Sequence, residues 1–115
     1  SARPWMINLI LDSLSEHHGI QPDLLGQDTV EAEFKKRAGI DQFYSYGSGF
    51  FSPDNLPMAL IRQLRDRKYD LIITPFANNH LAGYENVLSS ARLIQPQKIL
   101  GLYPDGSASE IVLNL

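Results

Sequence analysis

The residues of this chain best suited to chemistry are the asparagines and histidine of Ala77-Asn78-Asn79-His80. Carboxamides hydrogen-bond sugar hydroxyls and amides in both senses, and an imidazole can take or give a proton near neutral pH. General acid–base work also needs a second group in reach. No Ser, Asp or Glu stands at a spacing that would pair with His80, so no catalytic residue is assigned, and Asn79 reads more simply as a helix cap. A second candidate is Tyr46-Gly47-Ser48-Gly49, a glycine turn whose backbone N–H groups could cradle a phosphate or a sugar hydroxyl. It is not a full G-x-G-x-x-G, because Ser52 stands where the last glycine belongs, and it lacks the Gly-Lys-Ser/Thr ending of a P-loop. A turn followed by a Ser52 cap accounts for the same residues.

The remaining chemically capable groups are weaker. Asp105 lies in Pro-Asp-Gly, a common turn sequence. His17 and His18 are adjacent, so on a helix they diverge by about 100 degrees and cannot share a metal as an i, i+4 pair would. No metal site is expected. Asp12 would match a receiver-domain acid only if residues 7–11 formed a strand, and the acidic pair and later lysine that accompany such an acid are missing. There is no cysteine, which excludes disulfides, a thiolate nucleophile and Cys-based zinc or iron–sulfur sites.

These residues need elements to position them. Residues 4–18 read as a helix, with Pro4 at its first position, Gly19 at its stop, a polar stripe of Asn8, Asp12, Ser15 and Glu16, and apolar Trp5, Met6, Leu9, Ile10 and Leu14 on the other faces. A strand over residues 7–11 is the competing reading. Residues 20–28, punctuated by Pro22 and Gly26, read as a connector, and a helix from Asp28 to Ala38 follows, with Val30 and Phe34 inward and Gly39 ending it. The aromatic alternation of residues 41–46 predicts a strand. Ser52 and Pro53 predict the start of a helix running to Lys68 with Leu56, Leu60, Ile61 and Leu64 on one face; its Arg62, Arg65, Arg67 and Lys68 read as a solvated run that complements the helix dipole.

The apolar run in Tyr69-Asp70-Leu71-Ile72-Ile73-Thr74-Pro75-Phe76 predicts a strand buried on both faces, and a helix from Asn78 or Asn79 to about Leu93 follows it, with Tyr84, Val87, Leu88 and Ala91 inward. Residues 98–103 read as the next buried strand, residues 104–107 as a turn, and Glu110 to Leu115 as an antiparallel edge strand. Alternating helices and strands imply α/β architecture: a three-layer Rossmann-like domain, mostly parallel, with an antiparallel C-terminal edge strand. In such sheets ligands bind beyond the C-terminal strand ends, so the loops at 46–49, 74–80 and 103–107 should share one edge.

With 115 residues, 43% of them hydrophobic and 20% charged, the chain is read as a single soluble domain over residues 1–115. It begins with Ser1, and we read it as a piece of a longer protein. A net charge of −3 with dispersed Lys and Arg gives no basic face for a phosphate backbone, which argues against nucleic acid. No apolar run approaches the ~20 residues of a membrane span, and the first residues lack a signal-peptide cleavage pattern. The expected location is cytoplasmic.

The succession Gly39-Ile40-Asp41-Gln42-Phe43-Tyr44-Ser45-Tyr46-Gly47, a helix ending Leu64-Arg65-Asp66-Arg67-Lys68-Tyr69-Asp70, the strand and loop through Asn79, a further helix, and Lys98 to Gly106 resembles the N-terminal Rossmann-like half of heptosyltransferase-type glycosyltransferases. The resemblance covers roughly residues 39–106. It implies a link to bacterial polysaccharide or lipopolysaccharide assembly. The family's Gly-Asp loop after its first strand, which holds its catalytic acid, has no match here, and neither has its nucleotide-sugar half, so no catalytic residue carries over.

Tyr69 to Thr74 is also similar to a strand of the B-domain of sugar phosphotransferase systems, whose phosphorylated cysteine is absent. The resulting expectation is a sugar or nucleotide-sugar binding domain of a glycosyltransferase-related protein, not catalytic alone, with Gly47, Ser48, Gly49, Asn78, Asn79 and His80 as ligand-binding residues. No cofactor is expected, and the remainder of a parent protein is an expected partner. The alternative is a regulatory or protein-interaction module, a degenerate phosphotransferase-B-like or receiver-like domain, whose exposed helix or Glu110–Leu115 edge strand docks on a partner or on a second copy of the chain.

Overall fold

A computed structural model of the chain describes residues 4–48, 51–76, 85–105 and 107–111. It is a mixed α/β structure with two small sheets, one wholly parallel and one mixed. The chain divides into two compact units, Arg3–Phe50 and Phe51–Leu115, the latter including Ser1–Ala2.

The first unit opens with helix α1, Pro4–His18. Proline presets the helical φ at a position whose N–H has no intrahelical partner, and Gly19 at φ +62 takes the left-handed conformation that ends the helix. The Gly19 N–H donates to Ser15 O at 3.2 Å and that of Ile20 to Leu14 O at 3.1 Å, which satisfies carbonyls of the last turn. The strand alternative for residues 7–11 is therefore excluded, and with it the condition for reading Asp12 as a receiver-type acid. Met6 and Leu11 are the buried residues of this helix.

The polar stripe turns inward at one point. Arg37 donates from Nε to Asn8 Oδ1 at 2.6 Å and from a terminal nitrogen to Asp12 Oδ1 at 2.7 Å, while its other terminal nitrogen reaches Ala38 O at 2.6 Å. An i, i+4 pair on α1 thus grips one guanidinium from the segment 25 to 29 residues later.

Strand β1, Leu24–Gly26, lies inside the stretch expected to be a connector. It pairs in parallel with β2, Phe43–Ser45, in the register Leu24 with Phe43, Leu25 with Tyr44 and Gly26 with Ser45. The hydrogen bonding extends past both ends, from Asp41 N to Pro22 O (2.9 Å) and from Asp28 N to Gly47 O (2.8 Å). Pro22 and Gly26 made this segment look like a turn; its strand character comes from the partner.

The crossover between β1 and β2 is shorter in helix than expected. Asp28–Val30 forms a 3-10 turn and α2 spans only Glu31–Phe34. Gly39, at φ +96, follows the expected stop. Phe34 is fully buried, and Gly26 leaves room for Val30 and Phe43, whose atoms stand 3.2 and 3.4 Å from where a Cβ would be.

In the second unit the helix expected from Pro53 is interrupted. Pro53–Asn55 forms a 3-10 turn, and α3 spans Met58–Asp66. The cause is Pro57, which forces Leu56 out of the helical region to φ −84, ψ 119. Leu56, Ile61 and Leu64 are nevertheless buried, as their spacing predicts.

Strand β3, Leu71–Pro75, pairs in parallel with β4, Lys98–Leu102, and β4 pairs antiparallel with β5, Ala108–Ile111. Helix α4, Glu85–Leu93, connects β3 to β4. By strand alternation and register, Ile72, Thr74, Phe76, Ile99, Gly101, Tyr103, Ser109 and Ile111 share one face. The apolar ones among them pack with Val87, Leu88 and Ala91 of α4. The opposite face is only half covered: Leu71 is 43% exposed, and Ile73 and Pro75 are half-buried. The expectation that β3 is buried on both faces is not met, because among the described residues α4 packs only on the face that carries Ile72 and Phe76.

Phe76 is the centre of this core. It is fully buried, its N–H donates to Leu102 O at 2.8 Å, and its ring lies where a side chain on Gly101 would be. A Cβ on Gly101 would stand 2.6 Å from Phe76 Cε2.

Two outcomes follow for stability. Gly101→Ala should destabilise the protein by about 1–3 kcal/mol through overpacking, with part of the loss recovered by adding Phe76→Leu, as measured by urea unfolding. Arg37→Ala should cost about 2 kcal/mol, because its hydrogen bonds are charge-assisted, while Asp12→Asn, at the exposed end of the grip, should cost under about 1 kcal/mol. A larger loss for Asp12→Asn than for Arg37→Ala would contradict this ranking.

Candidate functional site

The first candidate loop leaves β2 in the first unit. Gly47 has φ +101, a conformation that residues with a Cβ rarely adopt. Its N–H donates to Ser45 Oγ at 3.2 Å and its carbonyl accepts from Asp28 N at 2.8 Å. Both backbone groups of Gly47 are therefore engaged, its N–H within the turn and its carbonyl in the extension of the β1–β2 pairing. Ser48 is exposed. Gly49 lies outside the described residues.

Ser52, expected to cap the next helix, instead stands before the 3-10 turn. It has extended geometry and no side-chain capping bond; its carbonyl accepts from Asn55 N at 3.0 Å.

The second and third loops leave β3 and β4 in the second unit. Asn78, Asn79 and His80, with residues 77–84 as a whole, lie outside the described residues, as does the beginning of the helix expected there. On their near side, Pro75 closes β3 and the buried Phe76 ring fixes the chain as it leaves the sheet.

The loop after β4 is held by its own polar groups. Ser107 donates to Asp105 Oδ1 from both its N–H (2.8 Å) and its Oγ (2.5 Å), and its carbonyl accepts from Tyr103 N at 2.9 Å. This is an Asx-type turn, the structural reading of Pro-Asp-Gly-Ser. The Tyr103 hydroxyl lies 2.8 Å from Ser109 Oγ, and its ring sits 5.5 Å from that of Phe76.

The pairing of strands separates the candidates. The Gly47 loop follows a strand of the β1–β2 sheet, whereas the other two loops follow adjacent strands of the β3–β4–β5 sheet. Of the six candidates, the described ones, Gly47 and Ser48, therefore belong to one unit, and the described residues of the other two loops, Pro75, Phe76, Tyr103, Asp105 and Ser107, belong to the other.

Two arginines have defined roles, and for Arg65 the role is one that the solvated-run reading does not give. Arg65 Nε donates to Leu93 O at 2.6 Å, tying the end of α3 to the end of α4. Arg37 grips α1 as described above. For Arg37 a signal was present: Asn8 and Asp12 are spaced to share one partner. Among the described residues no group of three or more His, Cys, Asp and Glu side chains could hold a metal ion. Among them also, no helix is long and apolar enough to cross a membrane.

No family model, curated protein or solved structure matches this chain.

Gly47→Ala tests the purely conformational demand of the first loop. No atom lies within 4 Å of the position a Cβ would take, so the cost is backbone strain alone, about 1 kcal/mol. A thermal unfolding curve identical to that of the unsubstituted chain would show that this φ is not required.

Proposed function

We propose that the protein binds a sugar or nucleotide-sugar at the C-terminal ends of its parallel strands and belongs to a glycosyltransferase-related protein of polysaccharide assembly, without being catalytic by itself. The observation that carries this reading is the β3–α4–β4 unit. Its two strands are parallel and adjacent, and the segment joining β3 to α4 leaves the sheet at the edge where open α/β sheets receive ligands. Asn78, Asn79 and His80 fall in that segment and supply the donors and acceptors that hydroxyl-rich ligands need. Gly47, Ser48 and Gly49, in the other unit, are proposed as ligand-binding residues of their own loop. The finer architecture, a three-layer Rossmann-like domain spanning the chain, is part of the same proposal, as is a cytoplasmic location.

A second reading takes the domain as a regulatory or interaction module. It is favoured by β5, the last strand in the order of its sheet, whose outer edge can accept another strand.

The two readings predict different behaviour. On the first, some member of a panel of sugars, sugar phosphates and nucleotide-sugars raises the melting temperature, by the amount that saturation over Kd dictates, and Asn78→Ala with Asn79→Ala abolishes the rise. On the second, no member shifts it and light scattering shows a dimer. A monomer that responds to nothing would sink both.

A further inference from the structure

The β3–β4–β5 sheet has two unlike faces. On the side of α4, Thr74, Phe76, Ile99 and Gly101 are buried. Strand alternation puts Leu71 and Ile73 of β3, Lys98, Leu100 and Leu102 of β4, and Glu110 of β5 on the other side. None of these is buried: Leu71, Lys98 and Glu110 are exposed, and Ile73, Leu100 and Leu102 are half-buried.

The register makes them one patch. Leu71 lies opposite Lys98 and Ile73 opposite Leu100, and Leu100 in turn lies opposite Glu110. The apolar side chains are therefore contiguous across β3 and β4, with one cation and one anion flanking Leu100, the first two residues back along β4 and the second beside it on β5. Among the described residues neither Lys98 nor Glu110 has an ion-pair partner. Contiguous apolar surface of this kind, rimmed by charge, marks interaction sites.

We propose that this face is covered by the same face of a second copy of the chain. Charge selects the occupant. A face that carries one Lys and one Glu about a common centre is complementary to itself, because a two-fold axis makes each contact twice, residue i to residue j and j to i. Set between the two faces beside Leu100, that axis brings Lys98 of each copy to Glu110 of the other and lays the leucine and isoleucine side chains together. The interface then has an apolar centre and two ion pairs at its rim. The layer that a three-layer architecture needs on this side is supplied by the partner's sheet. Three strands of four or five residues span roughly 15 Å each way, which is small beside the ~800 Å² per partner of a standard interface, so the association is weak and reversible. This contact is independent of ligand binding, and it uses the sheet face and not the outer edge of β5.

The test is sedimentation equilibrium of the whole chain from micromolar to millimolar concentration. The expected result is a monomer–dimer equilibrium that Lys98→Glu and Glu110→Lys each weaken by about tenfold or more, since each turns two attractive pairs into two repulsive ones. The double variant, Lys98→Glu with Glu110→Lys, should regain the original dimer constant to within about threefold, because the pairs re-form with their signs exchanged. Both positions are exposed, so these variants keep the fold. Ile73→Lys, its folding checked by urea unfolding, should be monomeric throughout. A monomer at every concentration would overturn the proposal. So would a dimer that Lys98→Glu does not weaken, which is what pairing through the β5 edge would give, or a double variant no stronger than the single ones.

Discussion

The second unit depends on one close approach, the Phe76 ring laid over the bare backbone of Gly101. Phe76 directly follows β3, and its N–H continues the ladder to Leu102 O, so the ring is placed by main-chain pairing as much as by apolar burial. Around it the inward positions of three strands and one face of α4 meet. The neighbouring Tyr103 ring closes the same cluster, and the Tyr103 hydroxyl reaches Ser109 on β5. One aromatic thus joins both parallel strands, the crossover helix and the antiparallel strand. Phe76 is also the last described residue before the segment 77–84 and is fully buried.

The two helix-to-strand links of this unit share a geometry the residue types do not announce. Lys68 at φ 53 and Gln95 at φ 59 are both left-handed without being glycine. Each donates its N–H to the carbonyl three residues earlier, Arg65 and Arg92 respectively, so the two turns are closed in the same way. Such backbones cost roughly 1–2 kcal/mol each in a residue with a Cβ and persist because the surroundings over-determine them. The strand bonds from Gln97 and Lys98 back to Tyr69 and Asp70, together with the Arg65 link to Leu93, supply that constraint. Basic side chains concentrate at the same end because two helix C-termini lie there, where the dipole favours positive charge. That concentration of basic side chains is therefore a consequence of the α/β alternation.

What could be read from the sequence was whatever a segment decides by itself. α1 was legible from Pro4, Gly19 and the polar stripe, and β4 from its apolar run; the strand expected at Glu110–Leu115 begins instead at Ala108 as β5, Ala108–Ile111, and residues 112–115 lie outside the described ones. What could not be read depended on a partner or on a single overriding residue. β1 has three residues, begins two after Pro22, ends on Gly26 itself and is a strand only because β2 lies beside it. The start of α3 moved because Pro57 controls Leu56 more strongly than Ser52 and Pro53 invite a helix. The organisation into two small sheets was hidden for the same reason: alternating elements say that strands will pair, not which ones.

The candidate site follows the same division. Gly47, Asp105 and Ser107 were flagged because polar and glycine-rich loops after strands are where ligands bind, yet each has a backbone or side-chain bond within its own turn. Turn-forming chemistry and ligand-binding chemistry draw on the same residue types, so residue type alone cannot separate them. Position bears on the distinction. A loop after a parallel strand remains a place for a ligand even when its own polar groups are satisfied, because the helix start and the neighbouring strand end still converge there.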